Sequence, residues 1–139
     1  MQNPKELALA NLGLPFLGIV SAGFPSPAQD YLEPPLIQNL HKILVKNPSS
    51  TFLCQITGDS MAGDGIGEGD WAIVDKAVKP GDGKLVVVTY LGELLLKRIQ
   101  TGRDRFHLVS SNPLYPPLEW YEDDEVTIWG IVTFIIKKF

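Results

Sequence analysis

The sequence predicts a mainly β protein: a compact folded-over sheet or partial barrel with one short helix and an extended N-terminal arm. Three observations predict it. Six short apolar runs are bounded by glycine-, proline- and aspartate-rich pieces, the pattern of strands joined by turns. A single stretch repeats apolar residues at helical spacing. Pro15, Pro25 and Pro27 disfavour helix around residues 14–27.

Along the chain, Leu12 to Phe24 reads LGLPFLGIVSAGF and supports three readings. A secretory leader has a short apolar core and a small-residue cleavage site, which Val20-Ser21-Ala22 would supply. Against it, Lys5 is the leader's one basic side chain, Glu6 lies beside it, and Pro15 and two glycines interrupt the core. The second reading is a mobile arm that docks in extended form, as peptides enter protease clefts. The third is an ordinary disordered terminus. The leader is too short for a helix-turn-helix module, so a complete DNA-binding repressor is not expected.

Next, Pro34-Pro35 can open a helix, since proline is tolerated in the first turn. Leu36, Leu40, Ile43 and Leu44 follow at helical spacing, and Pro48 after Asn47 stops it. Strands are expected at Thr51–Ile56, Trp71–Val74, Leu85–Tyr90, Leu94–Ile99, Phe106–Val109 and Val126–Ile136. Turns fall at residues 79–83, at Leu91-Gly92 and at Ser111-Asn112-Pro113. The last strand is apolar on both faces, which implies either burial within a sheet or a subunit interface. No internal repeat or low-complexity segment is present.

The chain has 139 residues, enough for one core, with 45% hydrophobic and 20% charged residues. A net charge of −4 offers no basic footprint for nucleic acid, so any DNA-related role must run through protein partners. A single cysteine, Cys54, permits no internal disulfide and fits a reducing compartment such as the cytoplasm. It lies mid-strand and reads as an inert core residue. No stretch approaches the ~20 apolar residues of a membrane span.

Two features carry chemistry. Gly58-Asp59-Ser60-Met61 follows a strand and precedes a glycine- and aspartate-rich loop. A serine there can present its hydroxyl and nearby backbone N–H groups to one carbonyl, as acyl transfer requires. The bland alternative is a simple turn. The second feature is Lys97. Alternation in its strand puts Leu95, Lys97 and Ile99 on one face. Apolar surroundings disfavour the charged amine, and a neutral amine can take a serine's proton. The alternative is an edge lysine whose head reaches solvent. His41 and His107 lack a nucleophile motif and read as structural. Asp64, Glu68, Asp70 and Asp75 lack the EF-hand spacing and read as solvated turn residues.

Together, Gly58-Asp59-Ser60-Met61, Gly65-Ile66, Gly69-Asp70, Ile73-Val74-Asp75 and Lys97 resemble the LexA/UmuD group of self-cleaving Ser–Lys peptidases. Ala22-Gly23-Phe24-Pro25-Ser26-Pro27-Ala28 with Asp30-Tyr31 is similar to the segment around the UmuD cleavage bond. The likeness covers most of 22–139 and weakens over 1–21 and 103–124. The loop order Ala62-Gly63-Asp64-Gly65 departs from the UmuD pattern.

The resemblance implies Ser60 as nucleophile and Lys97 as general base. It implies the backbone N–H groups of Asp59 and Ser60 as oxyanion donors and Ala22-Gly23 as the scissile bond. The chain would divide into a cleavable arm, 1–22, and a peptidase domain, 23–139. The resemblance further implies a homodimer, stimulation by a RecA–single-stranded-DNA filament and delivery of the product to a UmuC-type translesion DNA polymerase. No cofactor, metal, membrane or direct specific DNA contact is implied. Two other classes stand beside it: a non-catalytic dimerisation module of repressor type, and a signal-peptidase-like enzyme acting on other proteins.

Overall fold

The structure, a computed structural model, describes residues 14–15, 18, 20–23, 37–103, 106–120 and 126–139. The chain divides into two units, Met1–Leu44 and Val45–Phe139. In the first, β1 (Leu14–Pro15) pairs antiparallel with β2 (Ile37–Gln38). A five-residue helix, α1 (Leu40–Leu44), follows. Asn39 caps it, its side chain accepting the Lys42 N–H at 3.1 Å.

This helix is shorter than expected. Ile37 and Gln38 would have lain in its first turns, but they are committed to the ladder with β1. The expected opening at Pro34-Pro35 with Leu36 lies outside the described residues, as do most of the apolar leader and residues 24–31. Pro48 does more than stop a helix: it opens a 3-10 turn, Pro48–Ser50. Asn47 before it has φ −123° and ψ 83°, outside the α region that a following proline disfavours.

The second unit holds β3 (Thr51–Gln55), β4 (Trp71–Asp75), β5 (Leu85–Tyr90), β6 (Glu93–Thr101), β7 (Phe106–Val109), β8 (Leu118–Trp120) and β9 (Val126–Ile136). They form one seven-stranded antiparallel sheet in the order β3-β4-β9-β5-β6-β7-β8. The order is linear, with β3 and β8 at its two ends, so the sheet is open rather than a closed barrel. All six expected strands are present; β8 is an addition.

Alternation along the strands sorts the core onto two faces. Val86, Val88, Ile99, Leu108, Val126 and Ile131 cluster on one, with Leu95 and Ile128 packed against them. Ala72, Val74 and Val87 form the other cluster, joined by Leu96, Trp129 and Val132. The position of β9 between β4 and β5 explains its double-sided apolar pattern. Its far end differs. Leu53, Trp71, Phe134 and Ile136 share one face by register and are 59%, 41%, 38% and 39% exposed.

Two carboxylates expected as solvated turn residues are instead buried. Asp75 accepts hydrogen bonds from Asn47 Nδ2 (2.7 Å), Ser50 Oγ (2.7 Å) and the Ala77 N–H (2.8 Å). Those bonds, that of Asn47 foremost, hold its carboxyl below the usual range. Asp70 accepts from the Gly67 N–H (2.9 Å) and from Lys137 Nζ (2.6 Å), and is lowered by the same causes in that order. Multiple donors offset the cost of removing each charge from water.

Candidate active site

The loop between β3 and β4 carries Ser60. Two backbone bonds close its base: Ile56 N–H to the Asp70 carbonyl and Gly69 N–H to the Ile56 carbonyl, both 2.8 Å. The chain turns at Gly58 with φ 82°, a left-handed value that glycine adopts without a Cβ penalty. The Ala62 N–H then donates to the Asp59 carbonyl at 3.0 Å. Half-buried Ser60 sits inside this turn. Met61, 2% exposed, anchors it; burying such a side chain stabilises by roughly 1.5–3 kcal/mol. The Met61 carbonyl accepts the Asp64 and Ile66 N–H groups, so the loop folds back over its own anchor.

A second segment, residues 110–115 after β7, packs against this loop. The Asn112 N–H donates to the Ser60 carbonyl (3.0 Å), and Asn112 Nδ2 to the Asp59 carbonyl (3.2 Å). Ser111 Oγ accepts the Asp64 N–H at 3.0 Å. The Tyr115 hydroxyl donates to Asp59 Oδ1 at 2.7 Å, and that bond to a carboxylate raises the phenol's pKa. Gly63 lies so close that a Cβ there would overlap the Ser111 carbonyl oxygen and sit 2.9 Å from the Ser111 Cβ.

Lys97 stands on β6 opposite Val86 of β5. It shares its face with Leu95 and Ile99, as alternation requires, and is 6% exposed. Burial therefore pushes its amine below the ordinary lysine value. Its Nζ donates to Ser110 Oγ at 2.6 Å and lies 5.8 Å from the centre of the Tyr115 ring. Ser110 and Asn112 are two residues apart, a span of at most about 7 Å of chain. One short segment thus grips both the Ser60 backbone and the Lys97 amine. The snorkelling alternative does not describe this lysine.

Asp59 lies in the same turn as Ser60, with both of their carbonyls engaged by Asn112. Ala22 and Gly23 belong to the first unit. Both are exposed in a bend, the Gly23 N–H donating to Ser21 Oγ at 3.3 Å. His41 is exposed on α1, and His107 occupies a ladder position opposite Gln100 and Glu119. Half-buried Cys54 packs against the Ala72 cluster, and burial raises its thiol pKa, which suits an unreactive side chain. Asp64 pairs with Arg98 at 3.3 Å; partly exposed, the pair contributes about 0–1 kcal/mol. Sequence reasoning assigned no role to Met61, Ser110 or Tyr115, and took Ser111 and Asn112 only as turn residues. Among the described residues, no helix is long and apolar enough to cross a membrane, and no three His, Cys, Asp or Glu side chains group as a metal site.

A β sheet that carries a serine-bearing turn and a buried lysine to one segment has the parts of a peptidase. Matched over residues 15–133, the chain belongs to the Peptidase S24-like family. Within it, the chain is a UmuD-like member of the LexA/UmuD group. It is 42% identical over 117 residues to Protein SamA of Salmonella typhimurium (strain LT2), covering 84% of this chain and 79% of that protein. It is 39% identical over 119 residues to Protein MucA of Escherichia coli, covering 85% and 80%. Against LexA repressor 2 of Pseudomonas syringae pv. tomato, identity is 33% over 132 residues, 91% of this chain and 61% of that protein.

Proposed function

We propose that this chain is an autoproteolytic serine endopeptidase that cuts its own Ala22-Gly23 bond, with Ser60 as nucleophile and neutral Lys97 as general base. The observation that carries this reading is the buried Lys97 amine held by the segment that also grips the Ser60 turn. Lys97 Nζ takes the Ser60 proton as Oγ attacks the Ala22 carbonyl carbon. Backbone N–H groups of Asp59 and Ser60 stabilise the developing oxyanion. The Lys97 ammonium then protonates the departing Gly23 nitrogen, leaving Ala22 as an ester on Ser60. Water, deprotonated by Lys97, cleaves the ester and restores the serine. Exposure of Ala22 and Gly23 suits them to being a substrate.

In this reading the chain works in the cytoplasm as a homodimer. A RecA–single-stranded-DNA filament stimulates the cut, and the shortened product becomes an accessory subunit of a UmuC-type translesion polymerase in the SOS response. Likeness to Protein MucA and Protein SamA supports that setting. The test is an intact-mass time course of the purified protein with and without RecA, ATP and single-stranded DNA. Two fragments, 1–22 and 23–139, are expected, faster with the filament and absent in Ser60→Ala. A large fragment starting elsewhere than Gly23 removes the bond assignment. Unchanged cutting in Ser60→Ala removes the nucleophile, and an uncut wild type with the filament present leaves the non-catalytic or foreign-substrate readings.

A further inference from the structure

The pairing of β6 with β7 sets Arg98 opposite Val109 and Ile99 opposite Leu108. Continued by one residue, this register puts Ser110 opposite Lys97, on the same face. That face is otherwise built from Val86, Leu95, Ile99 and Leu108. Ser110 Oγ, 2.6 Å from Nζ, is the hydrogen-bond partner of the amine among the described residues.

We propose that Ser110 is the positioning residue for Lys97, fixing the amine where it can serve the Ser60 hydroxyl. The inference rests on the Ser–Lys reading above and adds a third side chain to it. Two physical points support it. A lysine side chain has several freely rotating bonds, and burial among aliphatic groups does not by itself aim its head. A hydroxyl directly after β7 does, because the last ladder pair, Arg98 with Val109, holds both backbones one residue away. Next, a neutral amine has two N–H groups and one lone pair. With Ser110 Oγ accepting one N–H, the lone pair stays free for the Ser60 proton. Ser111 and Asn112, the next two residues, bind the Ser60 loop, so the same stretch of backbone sets both partners.

The groups around the amine define what a pH measurement reads. β5 presents Val86 and β7 presents Leu108, neither of which titrates. From residues 110–115 comes the Tyr115 ring, its phenol bound to the Asp59 carboxylate. On β6, Arg98 alternates to the other face and pairs with Asp64. Since Ser110 Oγ accepts from the amine, it favours the ammonium form, and its removal should move the Lys97 titration to lower pH.

Self-cleavage without activator is followed from neutral to alkaline pH for wild type, Ser110→Ala, Ser110→Thr, Ser60→Ala and Lys97→Ala. In parallel, the Lys97 amine is titrated by NMR in the uncleavable Ser60→Ala background, with and without Ser110→Ala. Expected are a fall of roughly 10- to 100-fold in the Ser110→Ala plateau, from a misplaced base, a midpoint displaced to lower pH in both measurements, and recovery in Ser110→Thr. A protein merely loosened by the substitution would lose rate without moving the midpoint. Wild-type rate and midpoint in Ser110→Ala, with Ser60→Ala and Lys97→Ala inactive, would overturn the role of Ser110 and leave the dyad standing. Cleavage that persists in Ser60→Ala would remove the dyad, and the positioning role with it.

Discussion

Lys97 puts a charged end group into a place built for aliphatic ones, and its chemistry follows from that conflict. Burial lowers its affinity for a proton below that of an exposed lysine. If it is the base, the rate of self-cleavage rises about tenfold per pH unit below its pKa and levels off near it. The plateau is then expected below the pH at which an exposed lysine would titrate, and Lys97→Arg is expected to be inactive throughout because guanidinium does not deprotonate. A rate profile in buffers from neutral to alkaline, with circular dichroism to confirm the fold, checks both; a flat profile or an active Lys97→Arg would return this lysine to a structural role. The settings of Ser60 and Lys97, a turn after a strand and a place between two aliphatic flanks, were legible from the sequence. Ser110 was not. Its place opposite Lys97 depends on the β6–β7 register, which no turn motif in the sequence between those strands announces.

At the scale of elements, the site depends on how closely the loop after Ser60 lies on residues 110–115. Gly63 marks the closest approach, and what it meets is backbone carbonyl, which cannot rotate away. Gly63→Ala is expected to separate the two segments, at a cost of about 1–3 kcal/mol typical of overpacking. A displacement of about 1 Å at the reacting groups is enough for a 10²-fold loss of rate. Thermal melting and the cleavage assay on the same sample check this, and full activity would show that the loop accommodates a methyl group. Strands with alternating or continuous apolar runs were readable because burial dictates their pattern. β8 was not, being three residues long behind Pro116-Pro117. Nor was the β1–β2 pair, two residues each and far apart in sequence, which displaced the start of the expected helix. The β5–β6 hairpin shows the opposite case. Tyr90 pairs with Glu93 across Leu91-Gly92, with φ values of 49° and 79°, so this two-residue turn sets the face on which Lys97 stands.

At the scale of the whole molecule, the exposed strip of Leu53, Trp71, Phe134 and Ile136 bears on assembly. It lies on the β3–β4–β9 end of the sheet, and a second copy of the chain is the occupant that the proposed homodimer supplies. Sedimentation at roughly tens of micromolar, a regime suited to micromolar affinities, is expected to show a dimer in wild type and a monomer in Phe134→Glu. A wild-type monomer would count against it. The same end of the sheet has a consequence in time. Among the described residues, β4 and β5 are joined through β9, which follows both of them in the chain. While the ribosome is still making residues 126–136, the strands flanking the Ser60 loop and the strand bearing Lys97 share no ladder. A nascent or prematurely ended chain would hold both residues and lack the sheet that brings them to one segment. In the proposed reading, the arm of such a chain would be spared self-cleavage until β9 has joined the sheet.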